Sequence, residues 1–282
     1  MSTYFLLQTM KRKRLSPKDW ATVTIFLLGI LIVPTSAQDE TKKLAHNYGD
    51  GTLRRIRVPI LMYHYISPIP SDADDLRLGL TIEPDVFQAH MQYLSEEGYQ
   101  TITLYQLDEA LARGTPLPAK PVVLTFDDGY VEHYTRVFPT LLKYGFTGTF
   151  FVITGRADTN DRAYLNWEQI QEMAENGMSM EPHTKTHVDL RQRDQDFLVY
   201  EILGSIESLE THIGQLPGMF AYPSGRYDEK TLAVIQTLPI QRAVTTEFGA
   251  SHTTDNSLAL QRVRVSGGTG VPGLAHLLDR SQ

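Results

Sequence analysis

From position 58 onward, short apolar runs of strand character alternate with stretches whose apolar residues recur every three or four positions. Residues 58–66, VPILMYHYI, form the first strand-like run, and the polar loop SPIPSDADD follows it. The spacing of Phe87, Met91 and Leu94 predicts a helix over 84–97 that stops at Gly98. Residues 99–104 then read as a strand and 105–114 as a short helix ending at glycine. The alternation continues with a strand at 121–126 (PVVLTF), a helix at 134–144 and a strand at 148–153. Trp167, Ile170 and Met173 mark another helix that ends near Gly177. Leu198, Ile202, Leu209 and Ile213 mark a long one closed by Gly214. Strands at 219–223, 242–247 and 258–265 complete the pattern. Such alternation indicates a parallel sheet, open or closed into a barrel, and periodicity does not choose between the two. In both forms, sites gather at the carboxyl ends of the strands.

The first forty residues follow a different pattern. KRKR at 11–14 precedes an apolar run over 20–33 and then PTSAQDE. This is the order of a secretory signal: a basic region, an apolar region of roughly 7–15 residues, and small residues before the cut. Thr35 and Ala37 suit cleavage after Ala37. The rival is an uncleaved anchor, since 20–37 just reaches the roughly 18 residues that a spanning helix needs. Either form predicts an exported protein, secreted or held at the outer face of the cytoplasmic membrane, with membrane contact only through residues 1–37. Residues 38–57 are polar, end in RRIR and read as a linker; 58–282 read as one large domain.

Composition narrows the function. There is no cysteine, which removes disulfides and thiolate metal sites. Residues 1–37 hold five of the 26 Lys and Arg and one of the 33 acidic residues, so the remainder carries 21 positive and 32 negative charges, a net of −11. That balance argues against nucleic acid and other polyanions as partners.

Candidate chemistry sits in two places. TFDDGY follows the apolar strand at 121–124 and puts Asp127 and Asp128 at a strand's carboxyl end. Side chains alternate faces along a strand, so the two carboxylates need a turn, expected at Gly129, to enter one cleft with different tasks. One of them suits a helix N-cap, which leaves the other unexplained. The second place is EPHTKTH, where His183 and His187 stand four apart; a helical turn would put both imidazoles on one face, able to hold one ion. Two histidines and one carboxylate, with a position left for water, form a recurrent catalytic zinc set, and Asp127 or Asp128 is the third ligand. The other aspartate is then free to take a proton from the acidified water. A backbone N–H would hold the oxyanion, and a histidine would protonate the leaving amine.

TFDDGY, HTKTH and YPSG together resemble the motifs of the polysaccharide deacetylases, carbohydrate esterase family four. The helix pattern over 165–187 is similar as well, and the likeness spans roughly 58–267. The resemblance implies a distorted (β/α) barrel, a divalent metal and hydrolysis of N-acetyl groups on sugar polymers. By position it implies Asp127 as general base and Asp128, His183 and His187 as metal ligands. Imidazole and carboxylate donors suit Zn2+, and also Co2+, Ni2+ or Fe2+. Two positions depart from the family: Ala221 and Ser224 stand where an Arg and an aromatic residue are usual. Arg226, Arg262 and Arg264 are the candidates to orient the base instead. His276 lies in a helical pattern and not at a strand end. The subgroup acting on poly-β-1,6-N-acetylglucosamine resolves this, because it looks circularly permuted and PILMYHYI resembles its first segment. His64 is then the expected general acid. Trp167 and Tyr222 are expected as sugar-stacking walls, and the main chain at 222–224, including Ser224, as the oxyanion donor. The expected substrate is an extracellular N-acetylglucosamine polymer, with the β-1,6-linked form favoured. The alternatives are peptidoglycan or chitin-type β-1,4 chains, or a sugar-binding relic without turnover.

Overall fold

The chain's computed structural model describes residues 49–281. The expected signal or anchor segment, 1–37, and the first part of the expected linker, 38–48, lie outside the described residues. The described chain opens with β1 (Arg55–Arg57), β2 (Ile60–Tyr63), β3 (Tyr65–Ile66), α1 (Asp75–Leu80), β4 (Thr81–Ile82) and α2 (Pro84–Glu96). It continues through β5 (Gln100–Thr101), α3 (Leu104–Arg113), β6 (Pro121–Phe126), α4 (Phe138–Tyr144) and β7 (Thr149–Val152). Then come α5 (Thr154–Asp158), α6 (Trp167–Glu175), β8 (Ser179–Pro182), α7 (Gln195–Ile213), β9 (Met219–Ala221) and α8 (Glu229–Ile235). The order ends with β10 (Arg242–Phe248), β11 (Ser251–Thr253), β12 (Leu260–Arg264) and α9 (Val271–Asp279).

Local chemistry explains most boundaries. Thr103 and Gln106 form a capping box that starts α3, and Gly114 closes it in the left-handed region. That cap cuts the strand expected over 99–104 to Gln100–Thr101. Asn166 with Gln169 caps α6 in the same way, and Asp194 accepts the Phe197 N–H at the start of α7. The helix expected over 134–144 begins instead as a π turn, His133–Val137, before α4. Residues 49–57 are not a free linker. Ile56 packs on core side chains, and β1 pairs antiparallel with β11, Arg55 opposite Thr253.

Seven parallel strands of the described residues form one row, β8-β7-β6-β2-β12-β10-β9, with β5 beside β6. The row curls into a nearly closed barrel, as the resemblance implies. Strand parity sorts the side chains. Ile60, Val123, Phe151, Met219, Ala221, Val244 and Leu260 share the interior with Leu104, Leu107 and Leu111 of α3. Leu61, Tyr63, Val122, Leu124, Phe126, Phe150, Val152 and Val263 point the other way, under the surrounding helices. Phe220, Tyr222 and Ala243 likewise pack outward against α7 and α8. No ladder joins the two ends of the row. Two side chains bridge that seam: Glu181 accepts the Met219 N–H at 2.9 Å, and His183 Nδ1 meets the Ala221 carbonyl at 2.7 Å.

Candidate active site

At the carboxyl ends of the strands, the interior rows change from apolar to polar. The row of β6 ends in Thr125 and Asp127, and the row of β12 runs Leu260, Arg262, Arg264. Asp127 is therefore inward by parity. Asp128 would face out if the strand continued, but it adopts φ 75°, and Gly129 follows at φ 73°. The reversal thus begins one residue earlier than expected. It brings Asp128 back over the barrel mouth, at a cost of about 1–3 kcal/mol for a non-glycine residue in that region.

The histidines meet by a different route from the expected helical turn. His183 extends the line of β8, its N–H donating to the Val152 carbonyl at 2.9 Å. The segment that follows is an irregular loop in which Thr184 (φ 64°) and His187 (φ 60°) are both left-handed. The rings end with centroids 4.8 Å apart. His183 donates its Nδ1–H to the Ala221 carbonyl, which leaves Nε2 as the lone-pair nitrogen. Nε2 of His183 and of His187 lie 3.5 and 3.2 Å from Asp128 Oδ1. That oxygen is buried and accepts no hydrogen bond among the described residues. A buried carboxylate oxygen without a donor, facing two imidazole nitrogens, fits a cation: the ligand atoms of all three residues lie within 4.8 Å of one another. His187 is the most open of the three, its side chain 34% exposed, so the set faces solvent on one side.

Asp127 has a different partner. Arg262 is fully buried and grips it bidentately, Nη1 to Oδ1 at 2.7 Å and Nη2 to Oδ2 at 2.6 Å. The guanidinium is itself fixed by the Thr245 carbonyl (2.8 Å) and Thr125 Oγ1 (3.1 Å). Burial pushes the Asp127 carboxyl up, but the charge and hydrogen bonds of Arg262 outweigh it and hold it at about 2. Of the three arginines named from the sequence, Arg262 is the one on Asp127. Arg226 instead pairs with Asp189 on the surface. His64, at the end of β2, places Nε2 3.8 Å from Asp127 Oδ2. Burial lowers its pKa to about 4 against the pull of the two aspartates. Its carbonyl is held by Nε2–H of the buried His133 at 2.7 Å.

The family model for polysaccharide deacetylase matches residues 114–243. YxkH of Bacillus subtilis strain 168, assigned by name to the polysaccharide deacetylases, is 36% identical over 217 residues, covering 77% of this chain and 74% of its own length. The chain belongs to the polysaccharide deacetylase family. The solved Streptococcus pyogenes deacetylase PplD, in complex with acetate, superposes on this deacetylase with a TM-score of 0.74 at 32% identity, over 80% of this chain and 99% of its own. The poly-β-1,6-N-acetyl-D-glucosamine N-deacetylase of Escherichia coli K12 is 34% identical over 119 residues, 38% of this chain but only 18% of that protein. The chain is accordingly an amide-hydrolysing enzyme that acts on an acetylated polysaccharide, and enzymes of this family are metalloenzymes.

The expected sugar-binding residues of the deacetylase fare unevenly. Tyr222 is fully buried, stacks on Tyr227 and donates its hydroxyl to the Leu258 carbonyl at 3.0 Å. Parity is the reason: Ala221 faces in, so Tyr222 faces out, and it does not wall a sugar. Trp167 stacks on His212 at 3.8 Å with rings nearly parallel (2°) and packs on the helix-side core, so its ring serves the α6–α7 contact. Ser224 adopts φ 54° in a tight turn after β9. The Tyr222 N–H is taken by the Val244 carbonyl at 3.3 Å, and proline has no N–H, so Ser224 alone remains of the expected oxyanion donors. Two acids escaped the sequence reading: Glu181, which bridges the seam, and Glu201. The available signal was a charge inside a buried apolar stripe, since Glu201 lies between Leu198 and Ile202 on α7.

Proposed function

We propose that this deacetylase removes acetyl groups from an exported N-acetylglucosamine polymer, the β-1,6-linked form favoured, with one divalent cation held by Asp128, His183 and His187. The observation that carries the reading is the donorless Asp128 Oδ1 facing two imidazole Nε2 atoms, next to a carboxylate already gripped by arginine. A divalent cation supplies Lewis-acid polarisation of the acetyl carbonyl and a water acidified to a pKa of about 7. Asp127, kept ionised by Arg262, takes the proton of the attacking water. His64, 3.8 Å away and neutral at rest because burial lowers its pKa to about 4, relays the proton that Asp127 takes from water to the departing sugar nitrogen, so acetate and a free amine leave. Ser224 N–H is the main-chain donor assigned to the oxyanion. The donor set suits zinc, with cobalt, nickel and iron as substitutes.

The linkage rests on His64 lying at the end of β2 and on the name of the E. coli relative. Export rests on the basic, apolar and small-residue order of residues 11–37. The test is acetate release from β-1,6-linked N-acetylglucosamine oligomers before and after chelation, with zinc or cobalt added back. Metal-restored release supports the whole reading. Release only from peptidoglycan or chitin oligomers run alongside moves the substrate and keeps the site. Silence on all three with metal bound overturns it.

A further inference from the structure

A buried carboxylate outside the ligand set holds the loop on which His187 stands. Glu201 projects from α7, is 1% exposed, and belongs to the same buried stripe as Leu198, Ile202 and Ser205. Its Oε2 accepts the N–H groups of Lys185 (3.1 Å) and Thr186 (2.9 Å), and its Oε1 accepts the Thr186 hydroxyl at 2.7 Å. These two residues are the centre of the segment between the histidines. The flanking residues, Thr184 and His187, are the left-handed ones, and the Thr184 hydroxyl oxygen accepts the His187 N–H at 2.9 Å. The loop carbonyls are used from the other side: Thr184 O by Thr154 N–H at 3.2 Å and Lys185 O by Gly155 N–H at 2.9 Å.

Such a backbone persists only where its surroundings over-determine it. Here the carbonyls are satisfied by main chain of α5, whereas the Thr186 N–H depends on the Glu201 carboxylate alone and the Lys185 N–H is shared between that carboxylate and the Glu201 main-chain carbonyl at 3.2 Å. If the Glu201 carboxylate is removed, the Thr186 N–H and hydroxyl lose their protein acceptor, the Lys185 N–H keeps only the main-chain carbonyl, and the turn is free to relax. His187 is the residue displaced, because His183 is separately held by the β8 ladder and by Ala221.

We infer that Glu201 is a positioning residue for the metal site: by binding the Lys185 and Thr186 N–H groups it imposes the left-handed turn that brings His187 Nε2 to Asp128. This rests on the cation assignment under Proposed function, and the experiment separates the two. The affinity for Co2+ and Zn2+ is measured by chelator competition, with the Co2+ visible spectrum as a second readout, in wild type, Glu201→Leu, His187→Ala and the double variant. Loss of an outer-shell partner typically costs about 10–100-fold in metal affinity, and a loss of that size is expected for Glu201→Leu, which removes every side-chain acceptor, in the wild-type background. In the His187→Ala background the same change is expected to have no further effect, since the residue it positions is gone. An equal loss in both backgrounds, or an affinity within twofold of wild type, overturns the inference and leaves Glu201 a general structural acid. If Glu201→Leu does not fold, Thr186→Val, which keeps the carboxylate and removes only the 2.7 Å bond, runs the same cycle with a smaller expected loss. Wild-type affinity retained in His187→Ala overturns the cation assignment, and this inference with it.

Discussion

At Asp127 burial and charge pull in opposite directions, and Arg262 decides the outcome. A carboxyl held at about 2 against an ordinary 3.8 contributes stability that is present above the ordinary value and is lost as pH falls toward 2. The pair thus adds about 2 kcal/mol near neutrality, relative to an unshifted carboxyl. Arg262→Met removes the partner and leaves a buried, unpaired carboxylate, which typically costs about 3–5 kcal/mol. Burial then raises the Asp127 pKa unopposed, so the sign reverses and the deficit should shrink on acidification. Denaturant unfolding of wild type and variant at pH 7 and pH 5 checks this; a deficit that is constant or grows toward acid refutes it. Asp127→Asn, which keeps shape and loses the proton acceptor, should lower kcat by about 100- to 10,000-fold. Its affinity for the oligosaccharide should change little, as measured by titration of the folded variant.

The element that matters most is the shortest to describe, the loop from β8 into α7. It carries two of the three candidate ligands, and its geometry is enforced by neighbours and not by helical propensity. Gly155, at the start of α5, lies so close that an added Cβ would stand 2.4 Å from the Lys185 carbonyl oxygen. Gly155→Ala must therefore push the loop away or strain α5. Overpacking of this kind costs about 1–3 kcal/mol, and the melting temperature should fall accordingly. Metal affinity should fall with it, because the displaced carbonyl belongs to the loop that ends at His187. A variant with lowered melting temperature and unchanged metal affinity would show that α5 yields and the loop does not.

Across the described unit, ligands reach one point from separate strands, Asp128 after β6 and the histidines after β8, so a bound cation ties parts of the barrel mouth together. Anything that binds the folded state alone stabilises it by about 2.7 kcal/mol at one hundred times its dissociation constant. Chelation should lower the melting temperature reversibly, and zinc or cobalt should restore it in a concentration-dependent way. A melting temperature indifferent to both would contradict a cation shared between these strands. The barrel also uses residues ahead of the expected domain start. A chain beginning at Val58 lacks β1 and the Asp50–Arg54 pair that ties to the Leu111 and Ala112 carbonyls. It should melt below a chain beginning at Gly49, as calorimetry of the two would show.

The alternation of strands and helices, the helix stops at Gly114 and Gly214, and the strand-end position of Asp127 and His64 were all legible along the chain, because each depends on neighbours within a few residues. The family motifs carried the expected ligand set and the barrel for the same reason. Four things belonged to the tertiary structure. Arg262 was one of three equivalent arginines until the register of β12 against β2, with Val263 opposite Leu61, placed it under Asp127. Tyr222 and Ala221 exchanged roles because a side chain's face is set by strand register and not by its chemistry. The short β8 has no alternating signature, and its parallel ladder with β7 is long-range. The left-handed residues Thr184 and His187 have no glycine to announce them, and at Asp128 the reversal begins one residue before the glycine that does. Contacts made far along the chain hold such backbone, so local preference could report where the carboxylates and histidines lie, and only packing could say how they meet.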